Sequence, residues 1–162
     1  MRSMMELVLN DTMYRYQPKH SQTLVDIRTM KLRGCLGCGA CTEKKEYAGR
    51  CALQDDMQTL YPMIAKCERL VFICRLRYGC CSAKCKCILD RMAVLGQQEY
   101  IIRNKELMKK GWKTPLQEIA FFIPGEPSPK EKQVFQEWLQ EVHGIIAGTR
   151  MSVTYLSKET TL

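Results

Sequence analysis

The 162-residue sequence predicts an α/β fold built on a mostly parallel five-stranded sheet. Short runs of Val, Ile, Leu and Phe alternate with segments in which apolar residues recur every three or four positions. This is the pattern of buried strands that alternate with amphipathic helices. The composition, with 46% hydrophobic and 26% charged residues, is that of a folded chain. Such an alternation favours parallel strands with helices on both faces of the sheet, in a single domain over residues 1–162.

Five segments are predicted to be strands, and the clearest is the uncharged run at residues 70–74. The other four are residues 5–9, 23–27, 119–123 and 152–156. Three helices are predicted: 56–67 with Asp55 or Asp56 as its cap, 81–95 with Ser82 as its cap, and one that begins at Ser128. Ser128 and Glu131 have the spacing of a capping box, and Pro129 occupies the first helical position.

The connection between the first two strands is short. About a dozen residues separate them, which is barely enough for a parallel crossover. We therefore expect the first helix to be shortened or absent, or the two strands to pair as an antiparallel hairpin. Asn10, Asp11 and Thr12 directly follow the first strand.

Charge and hydropathy exclude some classes of protein. No apolar run approaches the ~20 residues of a transmembrane helix, and the N-terminus has no apolar signal segment, so a cytoplasmic protein is expected.

The net charge of +8 is concentrated in residues 1–111, together with all ten cysteines. This favours an anionic ligand such as a phosphate-bearing cofactor, with a solvated basic surface as the alternative. A nucleic-acid partner is not expected, because no motif for one is present.

The cysteines fall into two groups. Cys35, Cys38 and Cys41 form C-x2-C-x2-C, and Cys51 follows. Four such thiolates suit a [4Fe–4S] cluster, or less favourably a structural zinc ion, and unligated thiols are the alternative. Cys74, Cys80, Cys81, Cys85 and Cys87 form a second group of redox thiols or further ligands. Cys67 and Cys85 are expected to be small buried side chains. Both groups follow strands, so we expect them at one edge of the sheet.

The order of these segments resembles a known family. Leu24-Val25-Asp26-Ile27-Arg28, Gly34-Cys35-Leu36-Gly37-Cys38-Gly39-Ala40-Cys41, Cys51 and Asp55-Asp56-Met57 are similar to the flavodoxin-like NAD(P)H-dependent FMN reductases and iron–sulfur flavoproteins. So are Arg69-Leu70-Val71-Phe72-Ile73-Cys74, Tyr78-Gly79, Ser82-Ala83-Lys84 and Ile88-Leu89-Asp90-Arg91. The resemblance covers residues 23–93. It implies a flavodoxin-like sheet, FMN at the strand ends, a homodimer, and electrons from a nicotinamide or a protein donor.

The resemblance also assigns FMN contacts. They are Asn10 and Thr12 after the first strand, and Cys74, Arg75, Leu76, Arg77, Tyr78 and Gly79 after the third. Two features depart from the family. The Gly/Ser/Thr-rich loop that holds the FMN phosphate is missing, and Cys74-Arg75-Leu76-Arg77-Tyr78-Gly79 replaces Ser-Pro-x-Tyr-x-Gly. Tyr78 could stack on the flavin, while Arg75 and Arg77 could hold the phosphate or stabilise an anionic reduced flavin, or simply be solvated.

Two functions follow from these observations. The first is an FMN-dependent NAD(P)H oxidoreductase or electron-transfer protein, for which no catalytic residue is assigned. The alternative is a degenerate flavodoxin-like protein without FMN. Such a protein would bind a cluster or metal through Cys35, Cys38, Cys41 and Cys51, or act as a thiol redox sensor.

Overall fold

A computed structural model describes residues 4–17, 22–96, 98–103, 105–109, 114–145 and 149–156. Its main sheet consists of five strands: β1 (Glu6–Asn10), β2 (Gln22–Asp26), β3 (Arg69–Ile73), β6 (Glu118–Pro124) and β7 (Arg150–Leu156). A separate hairpin is formed by β4 (Tyr100–Arg103) and β5 (Glu106–Lys109). The helices are α1 (Ala40–Glu43), α2 (Met57–Ile64), α3 (Ala83–Arg91) and α4 (Pro129–Ile145), with 3-10 turns at Lys45–Tyr47 and Met92–Leu95.

The strand order is β2-β1-β3-β6-β7, and all four pairings are parallel. This is the flavodoxin-like order, so the predicted sheet is confirmed. The antiparallel alternative for the first two strands is wrong, because Glu6 lies opposite Gln22 and Asn10 opposite Asp26 in parallel register. The connection has no helix over its described residues 11–17, as its length led us to expect.

The helices cover one face of the sheet. Phe72 of β3 stacks on Phe121 of β6 with ring centroids 5.3 Å apart, and Phe135 of α4 meets Phe121 edge-on. These side chains and their neighbours on α2 and α3 form one buried cluster, which includes Leu60, Ile64, Ile88 and Leu139. This cluster contains most of the buried hydrophobic residues that the structure describes, so this face provides most of the core. Truncating one of its buried Phe residues to Ala would typically cost about 3–5 kcal/mol.

The other face differs from the expected two-sided helix coverage. Its buried cluster contains Val8, Val71, Ile73 and Ala120, and among the described residues it has no helical member. Tyr14 and Tyr16 of the β1–β2 connection pack on it instead, and the Tyr16 ring meets Phe122 edge-on at 5.3 Å. Two tyrosines in an extended segment thus cover the surface on which a crossover helix would lie.

Both expected helix caps with serine are present. Ser82 Oγ accepts a hydrogen bond from the Cys85 amide at 3.3 Å. Ser128 Oγ accepts from the Glu131 amide at 3.3 Å while the Glu131 carboxylate accepts from the Ser128 amide at 3.0 Å. These bonds fix the first turns of α3 and α4, and α3 begins at the edge where β3 ends. Within the described segments, no helix is long and apolar enough to span a membrane.

Candidate functional site

Asn10 and Thr12 build the loop that follows β1. Asn10 Oδ1 accepts hydrogen bonds from the amide and the hydroxyl of Thr12, both at 2.9 Å. Thr12 Oγ1 in turn accepts from the Tyr14 amide at 3.0 Å, and Asn10 Nδ2 donates to the Tyr14 carbonyl at 2.8 Å. Both side chains are 9% exposed. These two predicted FMN contacts therefore hold the loop in place, and Thr12 also lines the cavity described next.

A cavity of about 290 Å³ lies between this loop and the ends of β2 and β3. Three arginines line it, Arg28, Arg75 and Arg77, together with Asp11 and the N-cap residue Ser82. Arg28 Nη2 also pairs with Asp26 Oδ2 at 2.6 Å, and its hydrogen bond lowers the pKa of Asp26 to about 2. The three arginines outnumber the one lining carboxylate, so the cavity favours an anion.

A second cavity of about 440 Å³ adjoins the ends of β3 and β6. Arg75 lines it as well, so the two cavities share one side chain. The other residues that line it are Leu76, Pro124, Gly125, Glu126, Pro127 and Glu131. Leu76, Pro124 and Pro127 supply apolar surface in this cavity, while Arg75, Glu126 and Glu131 are charged residues of its lining.

Tyr78 lies at the tip of a tight turn. Arg77 and Cys80 exchange two backbone hydrogen bonds of 2.8 and 3.0 Å, and both intervening residues have positive φ, 54° for Tyr78 and 74° for Gly79. This is the geometry of a type I′ turn, which is unusual for tyrosine. The Tyr78 side chain is 99% exposed. A Cβ on Gly79 would lie 2.6 Å from Val134 Cγ1, so only glycine allows the turn to rest against α4.

The four predicted cluster ligands differ in exposure. Cys35 and Cys38 are exposed on a loop, and Cys41 and Cys51 are half-buried. Among the described side chains, no three of the His, Cys, Asp and Glu groups are close enough together to hold a metal ion. The four thiols have the right chemistry for a cluster, and the cluster stays a prediction from their spacing.

A buried ion pair lies where residues 34–54, here called the cysteine loop, begin and end. Arg91 Nη1 lies 2.6 Å from Asp55 Oδ2, and the two side chains are 1% and 5% exposed. Arg91 Nη1 also donates to the Arg33 carbonyl at 3.1 Å, while Asp55 Oδ2 accepts from the Arg33 amide at 2.9 Å. Burial favours a higher pKa for Asp55, but the hydrogen bonds from Arg91 and from the Arg33 amide keep it below its usual value. The pair thus fastens both ends of residues 34–54 to α3.

Comparisons with known proteins agree with this architecture. No family model matches the chain. The iron–sulfur flavoprotein of Archaeoglobus fulgidus is 28% identical over 100 residues, which are 61% of this chain and 49% of that protein. The chain thus spans about half the length of the curated relative it matches.

Solved structures extend the similarity to nearly the whole chain. Smu.1420 from Streptococcus mutans superposes with a TM-score of 0.62 at 14% identity, over 98% of this chain and 90% of that one. The NAD(P)H:quinone oxidoreductase of Methanothermobacter marburgensis gives 0.60 at 18%, over 96% and 87%. The chain has a flavodoxin-like fold. RosB with bound 8-demethyl-8-formylriboflavin-5'-phosphate gives 0.60 at 12%, over 98% of this flavodoxin-like chain and 67% of its own.

The structure brings only some of the predicted site residues of this flavodoxin-like protein together. Arg75, Arg77 and Thr12 line the first cavity, and Leu76 lines the second. Within the described residues, the side chains of Cys74 and Tyr78 line neither cavity. Sequence reasoning missed three residues: Arg28, Ser82 as a wall of the cavity, and Arg91. Arg28 and Arg91 lie within the motifs that carry the family resemblance, and that position was the available signal.

Proposed function

We propose that this protein is a flavin-dependent redox protein that binds FMN at the carboxyl edge of its sheet. The observation that carries the proposal is the cavity lined by Arg28, Arg75 and Arg77 beyond the ends of the parallel strands. In doubly wound sheets this edge, next to the change in strand order, is where ligands bind. The relative from A. fulgidus is named an iron–sulfur flavoprotein, and the similar RosB structure holds a riboflavin phosphate derivative.

The arginines replace the missing phosphate loop. A phosphate monoester carries up to two negative charges, and guanidinium groups can bind it through paired, charge-assisted hydrogen bonds. The loop after β1 is held rigid by Asn10 and Thr12, so its wall of the cavity is already formed. Asp11 opposes an anion here, and the three arginines outweigh it.

The flavin ring is assigned to the second cavity, where Leu76 and the prolines provide apolar contact. Bound FMN would supply the electron-carrying group, and this chain would bind and orient it. Arg75 lies between phosphate and ring positions, where its positive charge favours the reduced, anionic form of a flavin. The electron donor we propose is a nicotinamide or a protein carrier, with the chain acting as a homodimer of single flavodoxin-like domains.

The redox chemistry proposed here uses the flavin alone, with no step through an iron–sulfur cluster. The cysteine spacing nevertheless predicts one, and the measurement is direct. Iron, acid-labile sulfide, zinc and flavin are quantified on one anaerobically purified sample. Iron or zinc without flavin, and no uptake of added FMN, would favour the degenerate alternative.

The decisive experiment is a titration of the full chain with FMN and with riboflavin, followed by flavin fluorescence. We expect an FMN dissociation constant in the micromolar range or below, and riboflavin binding weaker by about tenfold or more because it lacks the phosphate. Arg75→Gln and Arg77→Gln should each reduce this preference for FMN. Lys45→Gln, which removes an exposed positive charge far along the cysteine loop, is the matched control. Equal affinities for the two flavins, or none for either, would contradict the proposal.

A further inference from the structure

The Lys84 side chain joins the first turn of α3 to the loop that follows β2. Its Nζ donates hydrogen bonds to the Ile27 carbonyl at 2.9 Å, to the Met30 carbonyl at 3.1 Å and to the Arg28 carbonyl. An ammonium group has three N–H donors, so these three carbonyls match all of them. The donors of Lys84 are therefore already engaged by the chain itself.

These hydrogen bonds connect two walls of the first cavity. Arg28 lines the cavity on the β2 side, and Ser82, the N-cap residue of α3, lines it on the other side. Lys84 is half-buried two residues after Ser82, and it is not among the described residues that line the cavity. Because β1 lies between β2 and β3 in the sheet, Lys84 holds together two segments that are not neighbours in the strand order.

The helical position of Lys84 is unfavourable for a lysine. Ser82 is the N-cap and Ala83 the first helical residue, so Lys84 is the second residue of α3. The helix dipole is positive at this end and disfavours a cation there. Lys86, in contrast, pairs with Asp90 one turn further along the same helix. The three carbonyl oxygens offset the repulsion at Lys84, so its position is explained by the loop after β2 and not by the helix.

The loop held in this way carries Arg28. The Arg28 amide and Nε donate to Asp26 Oδ1, both at 2.9 Å, and Nη2 donates to Asp26 Oδ2 at 2.6 Å. The pKa of Asp26 is lowered chiefly by these bonds, with a smaller contribution from the Lys84 charge, so the carboxylate stays ionised at neutral pH. Asp26 thus orients the guanidinium, while Lys84 anchors the carbonyls on both sides of the Arg28 Cα.

We propose that Lys84 is a positioning residue of the anion site, which holds the main chain at Arg28 so that this guanidinium meets the phosphate of the ligand. The inference rests on the proposed function, because it takes the phosphate of FMN as that anion. A group that is already held in its binding position loses less conformational entropy when the ligand arrives. Lys84 thereby favours the phosphorylated flavin without contacting the phosphate itself.

The quantity that tests this role is the preference for FMN over riboflavin, taken as the ratio of the two dissociation constants. Unfolded chain weakens the apparent affinity for both flavins by the same factor, so a variant that is only less stable keeps the same ratio. Lys84→Met removes the three donors and keeps an apolar side chain of similar length. We expect it to reduce the preference for FMN by about threefold or more.

A double-mutant cycle separates positioning from direct attraction between the Lys84 charge and the phosphate. Arg28→Gln alone should lower the preference at least as much as Lys84→Met does. If Lys84 acts through Arg28, Lys84→Met should lower the preference in the unaltered chain and leave it unchanged in the Arg28→Gln background. An equal lowering in both backgrounds would overturn the proposal, because the Lys84 charge would then act on its own.

Lys86→Met is the matched control. It removes a lysine from the same helix, where Lys86 pairs with Asp90 and not with the loop after β2. We expect the preference to stay unchanged, and a loss equal to that of Lys84→Met would overturn the proposal. Circular dichroism shows whether each variant folds. If Lys84→Met does not fold, the cycle is run with Lys84→Gln, which keeps two N–H donors and loses the charge.

The same titrations distinguish this role from the proposed function. A preference for FMN in the unaltered chain that survives Lys84→Met would overturn the role of Lys84 and leave the proposed FMN site standing. The absence of any preference in the unaltered chain would contradict the FMN site itself, and the role of Lys84 with it.

Discussion

Arg69 Nε donates to Glu118 Oε2 at 3.0 Å and joins the neighbouring parallel strands β3 and β6. Arg69 also pairs with Glu6 on β1, and Glu118 accepts from Arg150 Nη2 at 3.0 Å on β7. The four residues lie in register on one face of the sheet, so negative and positive charges alternate across four strands. A one-residue shift of any of these strands would move its charged side chain to the face that the helices cover. The row of charges therefore favours the observed register of the strands.

Arg69→Met should be strongly destabilising. It leaves the Glu6 carboxylate, which is 1% exposed, and the Glu118 carboxylate without their shared partner. We expect a loss of about 3–5 kcal/mol in the free energy of unfolding, measured in urea. Arg150→Met is the control, because its side chain is 74% exposed, and it should lose less than about 1 kcal/mol. Equal losses of stability in the two variants would contradict a stabilising role for Arg69 between the two buried carboxylates.

The row also makes stability depend on pH. Burial favours a higher pKa for Glu118, but hydrogen bonds from Ser152, Arg150 and Arg69 lower it below the ordinary value of 4.5. A folded-state pKa that is lowered stabilises the protein above pH 4.5, and this contribution is lost as the pH falls through the folded-state value. Glu118→Gln should flatten the acid limb of a stability–pH curve, whereas the exposed Glu137→Gln should leave it unchanged.

Asp55→Asn should release the cysteine loop. The substitution removes the charge that pairs with the buried Arg91 and weakens the fastening at Arg33. We expect faster tryptic cleavage at Lys44, Lys45 and Arg50, together with a stability loss of about 3–5 kcal/mol. Arg69→Met is expected to destabilise the chain as much but at a distant site, so it controls for global unfolding. Similar cleavage of both variants at these residues would contradict a local role for Asp55.

Tyr78→Asn should stabilise the protein. Tyrosine is strained at a φ of 54°, whereas asparagine followed by glycine is the preferred pair for a type I′ turn. The 99% exposed side chain has little packing to lose. A gain of about 1 kcal/mol in thermal or urea unfolding is expected. Gly79→Ala, which meets Val134, should have the opposite sign, and a loss of stability in Tyr78→Asn would refute this account of the turn.

Alkylation of Cys80 should depend on pH with a midpoint near 6, since its pKa is lowered to about that value. The charged and titratable groups that act on it are Cys81, Lys86 and Asp90. The measurement is the rate at which iodoacetamide labels the folded chain between pH 5 and 9. Labelling is read on the tryptic peptide of residues 78–84, which contains Cys80 and Cys81 and no other cysteine. Cys81→Ala removes the neighbouring thiol that chiefly lowers the pKa of Cys80, so the midpoint should move upward, whereas Cys87→Ser should leave the midpoint in place. A midpoint near 9 in the unaltered chain would contradict a lowered pKa for Cys80.

The sequence predicted the sheet well because its three central strands, β1, β3 and β6, contain uninterrupted apolar runs. The outer strands β2 and β7 contain β-branched residues, which favour strands. It also predicted the caps at Ser82 and Ser128, whose signals are local. The β4–β5 hairpin was missed, since Tyr100–Arg103 and Glu106–Lys109 mix charged and apolar residues and no glycine marks the turn between them. Helix coverage of a single face was also not predicted, because it depends on two tyrosines finding the sheet across a short connection.

The candidate site was predicted only in part, for a physical reason. Arg75, Leu76 and Arg77 follow a strand end, so their place at the carboxyl edge could be inferred from topology. The burial of Arg91 could not, because a buried arginine is favourable only beside a partner such as Asp55, which is 36 residues away. The placement of the four predicted cluster ligands likewise depends on the conformation of their loop, and their spacing in the sequence carries no information on it.

Because Arg75 lines both cavities, two occupants that both contact its side chain would be thermodynamically linked. A ligand that draws this guanidinium toward one cavity changes the affinity of the other, and the reverse effect must have the same magnitude. Inorganic phosphate and a phosphate-free flavin would therefore report on each other when they are titrated together. Through this shared residue, the two cavities would act as one binding site whose two ligands change each other's affinity.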